Sequence, residues 1–167
     1  MVRQIDLQES DFSDLASFQL SWRWTQETRG SLPHAELKKI QPILPKVAGR
    51  LYQRLEEEVL SRFEMPGQNF FSCGASSLDV AAFDREAVSN WIDKQLPKAE
   101  KKVIVSWVSF GRDVAAVVDR ELFIKRWDDF CYASSDVVVI WAPGLSFVLQ
   151  YSHDEIFSFK TSKYSVR

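Results

Sequence analysis

Apolar positions follow two periods along the chain, and the change falls near residue 100. Before it the spacing is helical. Residues 2–7 suit a short strand. Phe12, Leu15, Phe18 and Trp22 recur at three and four, which predicts one apolar helix face over residues 10–24, with Ser10 or Asp11 as cap. Residues 30–40 carry a second start signal, Ser31 as cap and Pro33 in the first turn, where its missing N–H costs nothing. Pro42 and Pro45 interrupt that run, and a new helix is expected from Pro45. It would place Val47, Leu51, Leu55, Val59 and Leu60 on one side. Arg50, Arg54, Glu57 and Glu58 fall on the other, with Arg54 and Glu58 four apart and able to pair. Residues 64–77 read as turn and loop, punctuated by Pro66-Gly67. Residues 83–97 predict a helix capped by Asp84, apolar at Val88, Trp91, Ile92 and Leu96, and ended by Pro97.

Beyond residue 100 the runs become β-branched and aromatic. Residues 102–110 predict a strand, Gly111-Arg112 a turn, and residues 113–119 the returning hairpin partner. Residues 120–130 space Leu122, Phe123, Arg126, Trp127 and Phe130 like a short helix, with Trp127 and Phe130 as core rings in phase with Phe123. Residues 136–143 form the strongest strand pattern, Pro143-Gly144 a turn, and residues 145–152 the next strand. Val138, Ile140 and Ala142 alternate with Val137, Val139 and Trp141. Both sets are apolar, so both faces of this strand should be covered. The expected fold class is α+β, with N-terminal helices packed on a C-terminal antiparallel sheet, in a single domain over residues 1–167.

Composition adds bounds. The chain has 167 residues, enough to bury roughly 70% of its unfolded surface without a metal or disulfide. Twelve Phe and six Trp make it aromatic-rich, which supplies a core and leaves rings to spare for a binding patch. A net charge of −2 gives no general attraction for nucleic acid, and Lys98, Lys101, Lys102, Lys160, Lys163 and Arg167 read as solvated element ends. No stretch approaches 18 apolar residues, so no membrane span is expected. The N-terminal residues carry acids where a signal peptide needs an apolar run, and Cys73 and Cys131 are too few for a disulfide framework. A cytoplasmic protein with two free thiols is expected.

The candidate chemistry is sparse. Cys131 and His153, with Asp136 or Asp154 as orienting acid, are the one thiol–imidazole pair available. Cys131 lies between Phe130 and Tyr132 without a Gly-rich approach, which favours a packed thiol. Ser134, Ser135 and Asp136 lack a G-x-S-x-G elbow and suit a turn that bonds its own backbone. Asp128 and Asp129 are adjacent and do not face one another on a helix. His34 and His153 are far apart, with no H-x-x-x-H or C-x-x-C spacing, so no metal is expected. Six glycines form neither G-x-G-x-x-G nor a P-loop, and no cofactor is expected. His153 is expected to close a strand end by bonding backbone or an acid.

Over the last third, the run of Trp127, Phe130, Cys131 and Tyr132, then Ser134-Ser135-Asp136, a strand, and Tyr151, His153 and Glu155 resembles small bacterial proteins of the domain-of-unknown-function kind. Asp154, between His153 and Glu155, departs from that pattern. A second likeness is to toxin-immunity and knot-regulator-type modules, which implies an α+β domain that binds protein partners. Neither supplies catalytic residues. The resulting expectation is a non-enzymatic module with a protein partner, neither nucleic acid nor membrane, and self-association left open. The alternative is a small-ligand protein or enzyme with a pocket at Tyr132, Ser135, Asp136, Tyr151, His153 and Glu155.

Overall fold

A computed structural model describes residues 5–60 and 76–161, and its organising element is one antiparallel sheet of seven strands. The strands are β1 (Ile40–Pro42), β2 (Ser76–Asp79), β3 (Lys102–Trp107), β4 (Ala115–Asp119), β5 (Val138–Trp141), β6 (Phe147–Tyr151) and β7 (Ile156–Thr161). Their spatial order is β1-β4-β3-β5-β6-β7-β2. The class is α+β, as the period change implies. Its β3–β4 hairpin turns through Gly111 at φ +138, where a Cβ would come within 2.6 Å of Asp113 Oδ1.

The helices are α1 (Trp22–Thr25), α2 (His34–Leu37), α3 (Pro45–Glu58), α4 (Arg85–Gln95), α5 (Arg120–Lys125) and α6 (Trp127–Phe130). They cover both faces of the sheet. On one, Val47, Ala48, Tyr52 and Leu55 of α3 pack on Ile104, Val117, Val139 and Trp141. On the other, Trp24, Val88, Ile92, Phe123, Trp127 and Phe130 pack on Val103, Val105, Val138, Ile140, Leu149 and Phe157. The alternation along β5 therefore feeds two cores, as its doubly apolar pattern requires.

Several elements follow their sequence signals. The α3 helix starts at Pro45, and Arg54 Nε lies 2.6 Å from Glu58 Oε1. The α4 helix is capped by Asp84, whose Oδ1 accepts from Ala87 N at 2.8 Å. Trp127 and Phe130 are core residues.

Others do not. No single helix spans residues 10–24. The segment makes two short 3-10 turns, Glu9–Asp11 and Leu15–Ser17, before α1. Its backbone is committed elsewhere, since Ser13 N donates to Pro42 O and Leu44 N to Asp11 O, while Phe12 bridges Ile43. Ser and Asp also compete for backbone bonds within the run. Ser31 is not a cap: α2 begins one residue after Pro33, with no side-chain cap bond. Ile5–Leu7 form no strand, and residues 2–4 lie outside the described residues. The helix expected over residues 120–130 breaks at Arg126 (φ −123, ψ 25) into α5 and α6.

Two edge strands went unread. Pro42 sits in β1, at a sheet edge where its missing N–H costs no ladder bond. Ser76 and Ser77 belong to β2, not to a loop. The rest of that expected loop, with Cys73, lies outside the described residues. Strand β7 was also not anticipated. Among the described residues, no helix is long and apolar enough to cross a membrane.

Candidate functional site

The C-terminal end of α6 and the β6–β7 turn face one another across an open cleft of about 410 Å³. Its lining includes Trp127, Asp128, Cys131, Tyr132, Tyr151 and Glu155. Trp127, Cys131 and Tyr151 lie at its base, each at most 7% exposed. Phe157 buttresses two of these rings, with its centroid 5.7 Å from that of Trp127 and 5.0 Å from that of Tyr151.

The β6–β7 turn sets one lip. Glu155 N donates to Ser152 O at 2.9 Å and Ser152 N to Ile156 O at 3.0 Å. Glu155 adopts φ +60, the left-handed conformation that such a hairpin usually gives to glycine. Its carbonyl also accepts from Val80 N, at 2.9 Å. The backbone is thus fixed from both sides. The glutamate is held in a strained geometry, and its carboxylate has no ion-pair or hydrogen-bond partner among the described residues.

Asp136 organises the other lip. Its buried carboxylate accepts Tyr132 N at 2.8 Å and Ser135 Oγ at 3.1 Å, closing the turn that precedes β5. It also takes a bidentate pair from Arg23, at 2.5 and 3.0 Å, across 113 residues of sequence. The Arg23 guanidinium is itself buried, 4.2 Å from the centroid of Tyr132, 5.3 Å from Phe110 and 5.4 Å from Trp22. A buried charge must be paired, and this one is paired and ringed by aromatic surfaces. It ties α1 to the cleft and fixes the Tyr132 wall.

The residues anticipated from the sequence divide accordingly. Tyr132, Tyr151 and Glu155 meet in the cleft. Asp136 lies beneath it as a buried scaffold, and Ser135 is an exposed residue that bonds Asp136. His153 stands away from the lining, 65% exposed, and among the described residues its one ion-pair contact is with an exposed acid, Asp154, at 3.6 Å. The strand end is closed by backbone bonds, and the imidazole is not needed for it. Arg23 was missed, although an arginine between two tryptophans is a readable signal for a guanidinium enclosed by rings. Trp127 serves both core and cleft.

Cys131 is buried, and burial pushes its thiol well above the ordinary cysteine range. His153 is exposed, so thiol and imidazole are not assembled as a nucleophile and base. Burial also pushes the Tyr151 hydroxyl far above a normal phenol, which keeps it protonated. Asp128 Oδ1 lies 2.8 Å from Arg85 Nη2, with the two side chains 39% and 50% exposed, a contact worth little. Among the described residues, no group of three or more His, Cys, Asp and Glu is placed to hold a metal. The arrangement can therefore present rings, tyrosine hydroxyls and carboxylates to a bound group. No family model, curated protein or solved structure matches the chain.

Proposed function

We propose that the protein is a non-enzymatic cytoplasmic binding module that docks another protein through the face carrying Trp22, Phe110, Tyr132 and the adjoining cleft, in an immunity-like or regulatory role. The observation that supports this most is the Arg23 cluster. Phe110 is 44% exposed, and Trp22 and Tyr132 are part-exposed around the same guanidinium. Rings held in this way present apolar area whose rotamer freedom is already lost, which lowers the entropic cost of association. The charge beneath them is neutralised by Asp136, so the patch does not repel apolar surface. The second likeness, to toxin-immunity and knot-regulator-type modules, points the same way.

The test is a photo-cross-linking amino acid placed at position 110, compared with one at Lys46, which is exposed on α3. The expected result is a discrete protein adduct from position 110 alone. Equal or absent adducts from both positions would refute the docking face. A second reading, a small-ligand site, is favoured only by the cleft volume, which falls in the range of small-molecule pockets. It predicts ligand binding without any adduct.

A further inference from the structure

We infer that the cleft between α6 and the β6–β7 turn receives the cationic end of a basic side chain carried by the partner protein; this rests on the docking reading above. Three independent features lead to it. The first is the Glu155 carboxylate, unpartnered among the described residues and held at the lip by left-handed backbone that an L-residue adopts at a cost. Neither fold nor turn needs a glutamate there; glycine would satisfy both.

The second is the Tyr151 hydroxyl. Tyr151 is 1% exposed and lines the cleft, yet its hydroxyl makes no hydrogen bond among the described residues. The hydroxyl is not one of the fully enclosed polar atoms, so it keeps contact with solvent, and the cleft that Tyr151 lines is where a bound donor can reach it. Its lone pairs can accept from an ammonium or guanidinium. The third is the remaining lining. Trp127 contributes the ring type that attracts cations, Tyr132 closes the wall with a ring that already meets Arg23, and Asp128 adds a second carboxylate. Arg85, the partner of Asp128, is half-exposed, so an incoming cation displaces it at little cost.

Other occupants fit worse. An anion would meet Asp128 and Glu155 as like charges. An apolar group would strand the Tyr151 hydroxyl and desolvate Glu155 without return. The cleft is open to solvent, which suits a group that arrives attached to a larger surface, beside the Trp22, Phe110 and Tyr132 patch.

The full chain, labelled with ¹⁵N, is titrated at low ionic strength with N-acetyl-arginine methylamide, N-acetyl-lysine methylamide, N-acetyl-glutamate methylamide and spermidine. The capped basic residues should give saturable shifts confined to the Trp127 indole and the Tyr132 and Glu155 amides. Glu155→Gln should weaken that binding about tenfold, the effect of one charge-assisted hydrogen bond. Tyr151→Phe should weaken it with the rest of the spectrum unchanged. Glu155→Gly, which relieves the turn, should abolish binding in a protein at least as stable as the parent. Absent shifts, equal shifts with the glutamate probe, or binding indifferent to Glu155→Gln would overturn the inference. Spermidine binding more than tenfold tighter than capped arginine would overturn the partner-borne origin. A position-110 adduct without cation binding would defeat this inference and leave the docking face standing. Cation binding without an adduct would defeat the docking face, and with it the partner-borne origin.

Discussion

Glu155 carries an energetic cost that its neighbours hide. At φ +60 it occupies a conformation that costs an L-residue about 1–2 kcal/mol, while glycine adopts it freely. Glu155→Gly should therefore stabilise the fold by about 1 kcal/mol in urea denaturation, after allowing for the extra freedom of glycine in the unfolded chain. A destabilised variant would show that the side chain contributes to the fold rather than to a bound partner. Asp136 is the opposite case, a residue whose charge the fold requires. Asp136→Asn leaves Arg23 as an uncompensated buried cation and should cost about 3–5 kcal/mol. The double change Arg23→Met with Asp136→Leu should recover only part of this. Asp136 also accepts the Tyr132 N–H and the Ser135 hydroxyl, and those donors would lose their acceptor. Full recovery would show that the pair is an ordinary replaceable ion pair.

At the scale of elements, caps and breaks decide where rings point. Asp84 and Asp119 both cap helices, accepting from Ala87 N and Leu122 N. Asp84→Ala should cost about 1 kcal/mol by thermal unfolding, the usual value of an N-cap. The break at Arg126 lets α5 and α6 place Phe123, Trp127 and Phe130 on one core while α6 ends at the cleft. Trp127→Ala should cost about 3–5 kcal/mol, because the indole is 93% buried against Phe157 and its removal leaves a cavity. A loss near 1 kcal/mol would place the ring outside the core.

For the whole molecule, two carboxylates should shape the pH dependence of stability in opposite senses. Lys125 hydrogen-bonds Glu36 at 2.7 Å and Arg126 adds a second contact at 3.0 Å. Against the opposing effect of burial, they hold the Glu36 carboxyl below the usual glutamate value. Its folded pKa is depressed, so its contribution is present above the unfolded value and lost as pH falls through the folded one. Glu36→Gln should be destabilising at pH 7, less so in high salt, and near neutral in strong acid. Burial, and then the charge of Asp128, raise the Asp129 carboxyl above the ordinary aspartate value. A raised folded pKa favours the fold below the unfolded pKa, and that advantage is lost as pH climbs through the folded one. Asp129→Asn should therefore stabilise the protein at pH 7 and make little difference near pH 3. Chemical denaturation across pH checks both signs, and matching signs for the two variants would contradict the assigned environments.

What the sequence determined by itself is local in its physics. The change of period near residue 100, the doubly apolar β5, the Pro45 start of α3 and the Asp84 cap each depend on residues a few positions apart, and each is present in the fold. The gathering of Tyr132, Tyr151 and Glu155 was partly legible because they flank neighbouring strands. What tertiary structure decided depends on distant partners. Residues 10–24 have a helical spacing, yet their backbone bonds to β1 and the start of α3, so periodicity could not reveal their shape. Strand β2 is polar and β1 contains proline, and only the β7 and β4 edges make them strands. The Arg23–Asp136 pair joins positions 113 apart, and no local pattern encodes such a match. The strain at Glu155 is likewise tertiary. It arises because hairpin geometry, the Val80 bond and the β2 edge together dictate a backbone angle that the residue's own preference opposes.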